Sequence, residues 1–395
     1  MAATAGSTGT RKHRPSRSAA GVQSRPPGDG PKHHIAARIR KLRAQLRKRG
    51  VGGVLVADEL NVRYLTGFTG DSSYLAVTPQ RCLLVSDSRY TIQIEEECPD
   101  LEVNIRTART DLLDQLAMVV KGLQVGSLAI ETDTITQSFY ERLSEKLSAV
   151  ELVACPGLIL SLRAVKDKQE IAAIRESVRI AQRAFDAIRA NLRGDQTELQ
   201  ISHDLEHAIR RFGGSGCSFD PIVGVGPRGA LPHGRPSPTT LDHDPFVLID
   251  WGARYQGYAS DLTRVLVTGR VTQKLRRIYD IVLKAQLAAI SKIRPHAALK
   301  SIDTAARKVI DDAGFGKSFG HGTGHGFGLQ IHELPRLSPI AQGELEPGMV
   351  VTVEPGIYLP DWGGVRIEDD VLVTRDGHEV LTSTPKQLDE CLVEI

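Results

Sequence analysis

The sequence predicts an α/β (α+β) chain of two units, the second of them duplicated, and three observations lead there. Short apolar runs of strand type alternate with amphipathic stretches of helical period as far as Pro156. Beyond Ala164 one order of elements is written twice: helix, helix, a glycine-rich stretch with histidine, and a hairpin. In both copies an apolar run ends on a carboxylate, Phe246-Val-Leu-Ile-Asp250 in the first and Val350-Val-Thr-Val-Glu354 in the second.

Residues 1–34 are rich in Ala, Ser, Gly, Pro, Arg and Lys, and after Val22 no large aliphatic residue follows until Ile35. So little apolar surface cannot offset chain entropy, so a disordered basic tail is expected, read as a solvated extension ahead of a nucleic-acid tether or transit peptide. From Ile35 the repeat Ile35, Ile39, Leu42, Leu46, closed by Gly50, predicts an amphipathic helix. Strands are expected at 54–57, 74–77, 82–85, 127–130 and 151–154, and helices over 111–123 and 137–147, while 61–68 and 87–90 read as loop. These make a small α/β domain over 35–160.

The second domain, 161–395, opens with helices over 168–191 and 198–212, a glycine-rich stretch ending at His233, and a hairpin bearing Asp250 and Asp261. Helices over 273–293 and 302–313, a stretch holding His325 and His332, and a hairpin bearing Glu354 and Glu368 repeat that order. His233 to His332 is 99 residues, Asp250 to Glu354 is 104 and Asp261 to Glu368 is 107, so equivalent positions carry equivalent chemistry in two facing halves.

A turn centred near Tyr255 and Gln256 would set Asp250 against Asp261 with Cβ atoms about 5 Å apart, and a turn around 360–364 would do the same for Glu354 and Glu368. Acids that finish apolar runs point inward, where like charges at about 4 Å repel by about 4 kcal/mol at an effective dielectric of about 20. Two divalent cations would remove that cost. Oxygen donors with one imidazole, His325, favour Mn, Co or Fe(II) over a thiolate zinc site or all-oxygen magnesium, with Zn an alternative. A cation pair sharing carboxylates suits hydrolysis of a carbonyl compound.

The bulk numbers narrow the class. The formal charge of +3 divides unevenly: residues 1–50 hold thirteen Lys and Arg against Asp29 alone, so the remainder is acidic. Nucleic acid is therefore not the expected partner, despite the basic tail. Five scattered cysteines without C-x-x-C spacing argue against a disulfide framework and for a reducing, cytoplasmic setting. No stretch reaches the eighteen or so apolar residues of a membrane span.

Four segments, Ile249–Arg264, His321–Glu333, Val353–Tyr358 and Gly364–Asp369, resemble the pita-bread metallopeptidases of the Xaa-Pro aminopeptidase and prolidase branch. Upstream, Asn61–Phe68 resembles the creatinase-type N-terminal domain. The resemblance implies a homodimer that cleaves proline-containing peptides with two divalent ions, Mn2+ foremost. Asp250 would chelate one ion, Asp261 and Glu368 bridge both, and His325 with Glu354 complete the second. Glu354 would also carry the proton from water to the leaving nitrogen, while His233 and His332 would bind the substrate carbonyl and the tetrahedral intermediate. His321, Arg366 and Arg336 are expected at the substrate, Arg336 on a carboxylate. The expected activity is an Xaa-Pro aminopeptidase, with an Xaa-Pro dipeptidase as the near alternative and a non-catalytic peptide-binding module as a distant one.

Overall fold

The computed structural model describes residues 31–395, so the expected basic tail lies outside the described residues up to position 30. The first helix, Pro31–Arg49, begins four residues before the expected Ile35.

Six strands form the N-terminal sheet in the order Glu102–Arg106, Cys82–Asp87, Tyr74–Val77, Gly53–Val56, Ser127–Ile130, Glu151–Ala154. The inner pairings around Tyr74–Val77 are antiparallel and the outer ones parallel. Side chains leave a strand alternately to its two faces. Val54 and Val56 accordingly join Leu42, Leu46 and Leu75 in one apolar cluster, while Leu55 joins Leu116, Leu128 and Ile130 in another. Several elements differ from expectation, among them the single turn Ser88–Tyr90, where loop was expected, and the unexpected helix Thr91–Glu97, both following the strand Cys82–Asp87. The segment read as loop over 61–68 is largely the helix Glu59–Thr66, opened by the Asp58 carboxylate on Asn61 N and closed by Gly67 at φ 83°. The edge strand Glu102–Arg106 was not expected; its side chains are only partly buried, so its apolar signal is weak.

In the second domain the helices Lys168–Arg189, Glu198–Arg211, Gln273–Ile290 and Leu299–Asp312 pack on strands at one shared apolar core. The Trp251 ring stacks on Phe185 at 4.2 Å, and its indole N–H donates to Ala181 O, which seats the first hairpin on the first long helix. The duplication is visible in matching tethers. Thr197 bridges Thr240 just ahead of one second helix, and Ala298 bridges Glu344 just ahead of the other. Ile222–Val225, Phe246–Trp251 and Leu262–Val267 form one three-strand unit. Gly324–Gly326, Val350–Val353 and Asp369–Val373 form its counterpart inside a five-stranded sheet. The halves meet where Glu368 N donates to Thr263 O and Thr263 Oγ1 donates to Glu368 Oε2.

Candidate metal centre and substrate cavity

The first hairpin turns at Gln256 and Gly257, with φ of 48° and 84°, one residue later than the sequence pattern predicts. Two consecutive left-handed residues make the tight turn that matches strand twist, and glycine at its second position selects this register over one centred on Tyr255. The shift moves the partner of Asp250 from Asp261 to Thr263. Since side chains repeat every two residues, Asp261 stays on the same face as a diagonal neighbour. The second hairpin keeps the expected register: Val353 pairs with Asp369 and Gly356 with Arg366, so continuation of the ladder sets Glu354 opposite Glu368.

Asp250, Asp261 and Glu368 are all buried, and each offers an oxygen within 4.8 Å of the others. His325 closes the group, its Nε2 at 3.6 Å from Asp261 Oδ2 and 3.4 Å from Glu354 Oε1. All five expected ligands therefore converge. Burial first, then the neighbouring acids, pushes the carboxyl groups of Asp261 and Glu368 well above the usual carboxylate range. Asp250 rises through burial against the pull of Arg366, and Glu354, for which burial again leads, is pushed up to about 8. Burial lowers His325 to about 3, so its ring is neutral near pH 7. The His325 Nδ1 lies 3.1 Å from Gly326 O, where it donates, leaving Nε2 with its lone pair toward the acids.

The donor set fits a pair of divalent cations. Asp250 Oδ1 and Glu368 Oε1 have no hydrogen-bond partner among the described residues although both are buried, and such atoms carry a desolvation cost that a cation would offset. Around them the lining is fixed by hydrogen bonds. Arg366 donates from Nη2 to Asp250 Oδ2 at 2.5 Å, from Nε to Thr263 Oγ1 at 3.1 Å and from Nη1 to the Tyr358 hydroxyl at 2.8 Å. Arg366 was expected at the substrate; it holds Asp250 directly and connects to Glu368 through Thr263. Its guanidinium is buried and its donors are committed, which leaves little for a substrate. Asp370, to which the sequence pattern assigns no role, accepts Asp261 N at 3.1 Å.

Asp250, Asp261, His325, Glu354, Tyr358 and Arg366 line a cavity of about 960 Å3. His233, His332 and Arg336 lie along it, with His332 and Arg336 exposed, and the His332 ring meets that of His325 edge-on at 4.4 Å. His321 is set deeper: Nδ1 lies 2.8 Å from Gly322 O and Nε2 2.9 Å from the Tyr358 hydroxyl, and burial lowers it to about 4. Tyr358, which carries no role in the sequence pattern, thus joins His321 to Arg366. The spacing of a hydroxyl four residues after Glu354 on a strand gave no separate signal.

Comparison with known proteins agrees with this geometry. The profile described as metallopeptidase family M24 matches residues 172–375, and that described as creatinase/prolidase N-terminal domain matches residues 38–165. A Xaa-Pro dipeptidase of Pyrococcus horikoshii is 34% identical over 352 residues, 89% of this chain and 98% of the relative. A solved Xaa-Pro dipeptidase from Bacillus anthracis is 38% identical at a TM-score of 0.86, covering 91% of this chain and all of that one (100%). The X-Pro aminopeptidase from Thermotoga maritima is 34% identical at a TM-score of 0.81, over 89% of this chain and 100% of that chain. With buried acids in need of cations at the floor of the cavity and full-length similarity to peptidases, the chain belongs to metallopeptidase family M24 and carries a creatinase/prolidase type of N-terminal domain.

Proposed function

We propose that this peptidase is an Xaa-Pro dipeptidase, which moves the reading from the expected aminopeptidase to its near alternative. The observation that carries it is the set of relatives: two curated Xaa-Pro dipeptidases from Pyrococcus species at 34% and 35% identity, each over 89% of this chain. The aminopeptidase from Thermotoga maritima keeps the first reading in play. Manganese as the native ion, a homodimer and a cytoplasmic site belong to the same proposal.

When bound, a pair of divalent cations supplies Lewis acidity to the scissile carbonyl and acidity to water. Asp250, Asp261, His325, Glu354 and Glu368 would hold it. Glu354 would take a proton from water and return it to the leaving nitrogen, as a carboxylate beside a cation pair can do. His233 and His332 donate where charge develops on the substrate oxygen. Arg336, exposed on the cavity, suits the free carboxylate of a dipeptide. A bond before proline is a tertiary amide with no N–H, so recognition must work through the carbonyl and the carboxylate.

Kinetics on an Xaa-Pro dipeptide and an Xaa-Pro-Yaa tripeptide, with Mn2+ supplied, separate the two activities. The dipeptide is expected to be cleaved and the tripeptide left intact. Release of the first residue from the tripeptide with equal efficiency would return the assignment to the aminopeptidase.

A further inference from the structure

Each half of the catalytic domain sends a buried acid from its second helix onto the loop that carries its histidines. Glu198 opens the helix Glu198–Arg211 and is fully buried. Its Oε1 accepts Val225 N at 2.8 Å, its Oε2 accepts Ser237 N at 2.7 Å, and Arg228 Nε sits 2.8 Å from Oε2. Arg228 then donates from Nη2 to Arg235 O at 2.5 Å. Both ends of the 225–237 segment and a point beside His233 are thereby tied to one carboxylate.

In the second half Asp303, buried on the helix Leu299–Asp312, accepts Thr323 N at 3.1 Å and Thr323 Oγ1 at 2.9 Å, both on Oδ1. Arg307 grips the same acid with Nε on Oδ2 and Nη2 on Oδ1, each at 2.9 Å, and also donates to Phe319 O at 3.0 Å and His321 O at 2.8 Å. Thr323 O in turn accepts Glu354 N at 2.8 Å, and His325 follows Thr323 by two residues. The matching tethers at Thr197 and Ala298 equate Glu198 with Leu299, so Asp303 lies one helical turn beyond the position of Glu198.

The second histidine loop in particular depends on such an anchor, because it carries few side chains of its own. Glycine occupies 320, 322, 324, 326 and 328. At Gly324 a Cβ would come within 2.0 Å of Thr352 O, so the close backbone approach excludes the side chain that would otherwise pack the loop. Burying a carboxylate costs several kcal/mol unless it is paired, which makes these acids an expensive way merely to fill a core.

We propose that the two acid–arginine pairs are positioning residues with separate duties: Glu198 and Arg228 set His233 for the substrate, and Asp303 and Arg307 set His325 and Glu354 for the cations. The substrate duty rests on the dipeptidase reading above; the cation duty rests only on the ligand set.

The test uses the full-length protein, stripped of metal and titrated with Mn2+ by calorimetry, alongside steady-state kinetics of the Mn2+-loaded enzyme. Asp303→Asn and Thr323→Val are expected to weaken Mn2+ binding by about 10- to 100-fold, with Thr323→Ser restoring wild-type affinity. Glu198→Gln and Arg228→Ala are expected to leave Mn2+ affinity unchanged and raise KM for the Xaa-Pro dipeptide by about tenfold or more. Thr323→Val and Arg228→Ala decide the matter if the buried acids cannot be replaced in a folded protein. Lower thermal stability with Mn2+ affinity and KM both at wild-type values would overturn the proposal, as would equal loss of Mn2+ binding in both sets. A wild type that binds Mn2+ without cleaving the dipeptide would defeat the dipeptidase reading instead, and the Mn2+ titrations would still decide the cation duty.

Discussion

Asp250 shows how one side chain is shaped by its surroundings. Burial favours its neutral form, yet Arg366 Nη2 lies 2.5 Å from Oδ2 and draws it back toward the carboxylate, while Oδ1 is left for a ligand. Arg366 also meets Thr263 and Tyr358, and only a planar guanidinium can serve three such partners in fixed directions. Arg366→Lys is therefore expected to lower kcat/KM by about 10- to 100-fold with little change in thermal stability, read from steady-state kinetics and a melting curve. Unchanged kinetics would show that Asp250 needs no such support. The four acids and His325 were legible because each ends an apolar run or sits in a glycine-rich loop, where ordinary packing seldom places an ionisable group. Tyr358, Thr263 and Asp370 were not, because a hydroxyl or a second acid beside a ligand has ordinary structural uses, and only the fold shows what it touches.

Between residues and domains, the hairpins set the geometry. A turn at Gln256 and Gly257 instead of one residue earlier changes every cross-strand partner, and what survives is the face on which each acid lies. Gly257 holds φ at 84°, and a Cβ there would come within 2.7 Å of the Arg63 guanidinium, which donates to Gln256 O across the domain boundary. Gly257→Ala is expected to cost about 1–2 kcal/mol from the left-handed backbone alone, measured by urea unfolding, with added loss if Arg63 must move. A stability equal to wild type would mean that the turn relaxes freely. Long amphipathic helices were readable from their period, as with Lys168–Arg189, closed at its start by the reciprocal Asp167 and Glu170 cap. The helix Glu59–Thr66 was not, since eight residues span barely two turns and its buried Asn61 gives no apolar signal.

Across the whole molecule, polar side chains join the two domains. Glu131, just past the strand Ser127–Ile130, accepts Asn61 Nδ2 at 3.1 Å, Asn61 Oδ1 accepts Arg163 Nη1 at 2.8 Å, and Arg163 Nη2 reaches Glu333, next to His332. Burial pushes Glu131 up to about 7 from an ordinary 4.5. A carboxyl whose folded pKa is raised binds more protons folded than unfolded, so its contribution is fully present below about 4.5 and is lost as pH rises through about 7. The loss amounts to about 3 kcal/mol, and Glu170, also raised to about 7 by burial, acts in the same sense. Glu131→Gln should flatten the fall in unfolding free energy between about pH 5 and about pH 8 in chemical denaturation; an unchanged slope would remove Glu131 from the balance. Such links between domains were invisible in the sequence, where the members stand far apart along the chain.

The central claim is that the acids of both hairpins and His325 gather around a pair of cations. Elemental analysis of the full-length protein, purified without chelator and supplied with Mn2+, tests it most directly. About two divalent ions per chain are expected, falling with activity when Asp261 or Glu368 is replaced by its amide. A chain that holds no metal and still hydrolyses Xaa-Pro peptides in excess chelator would contradict the account.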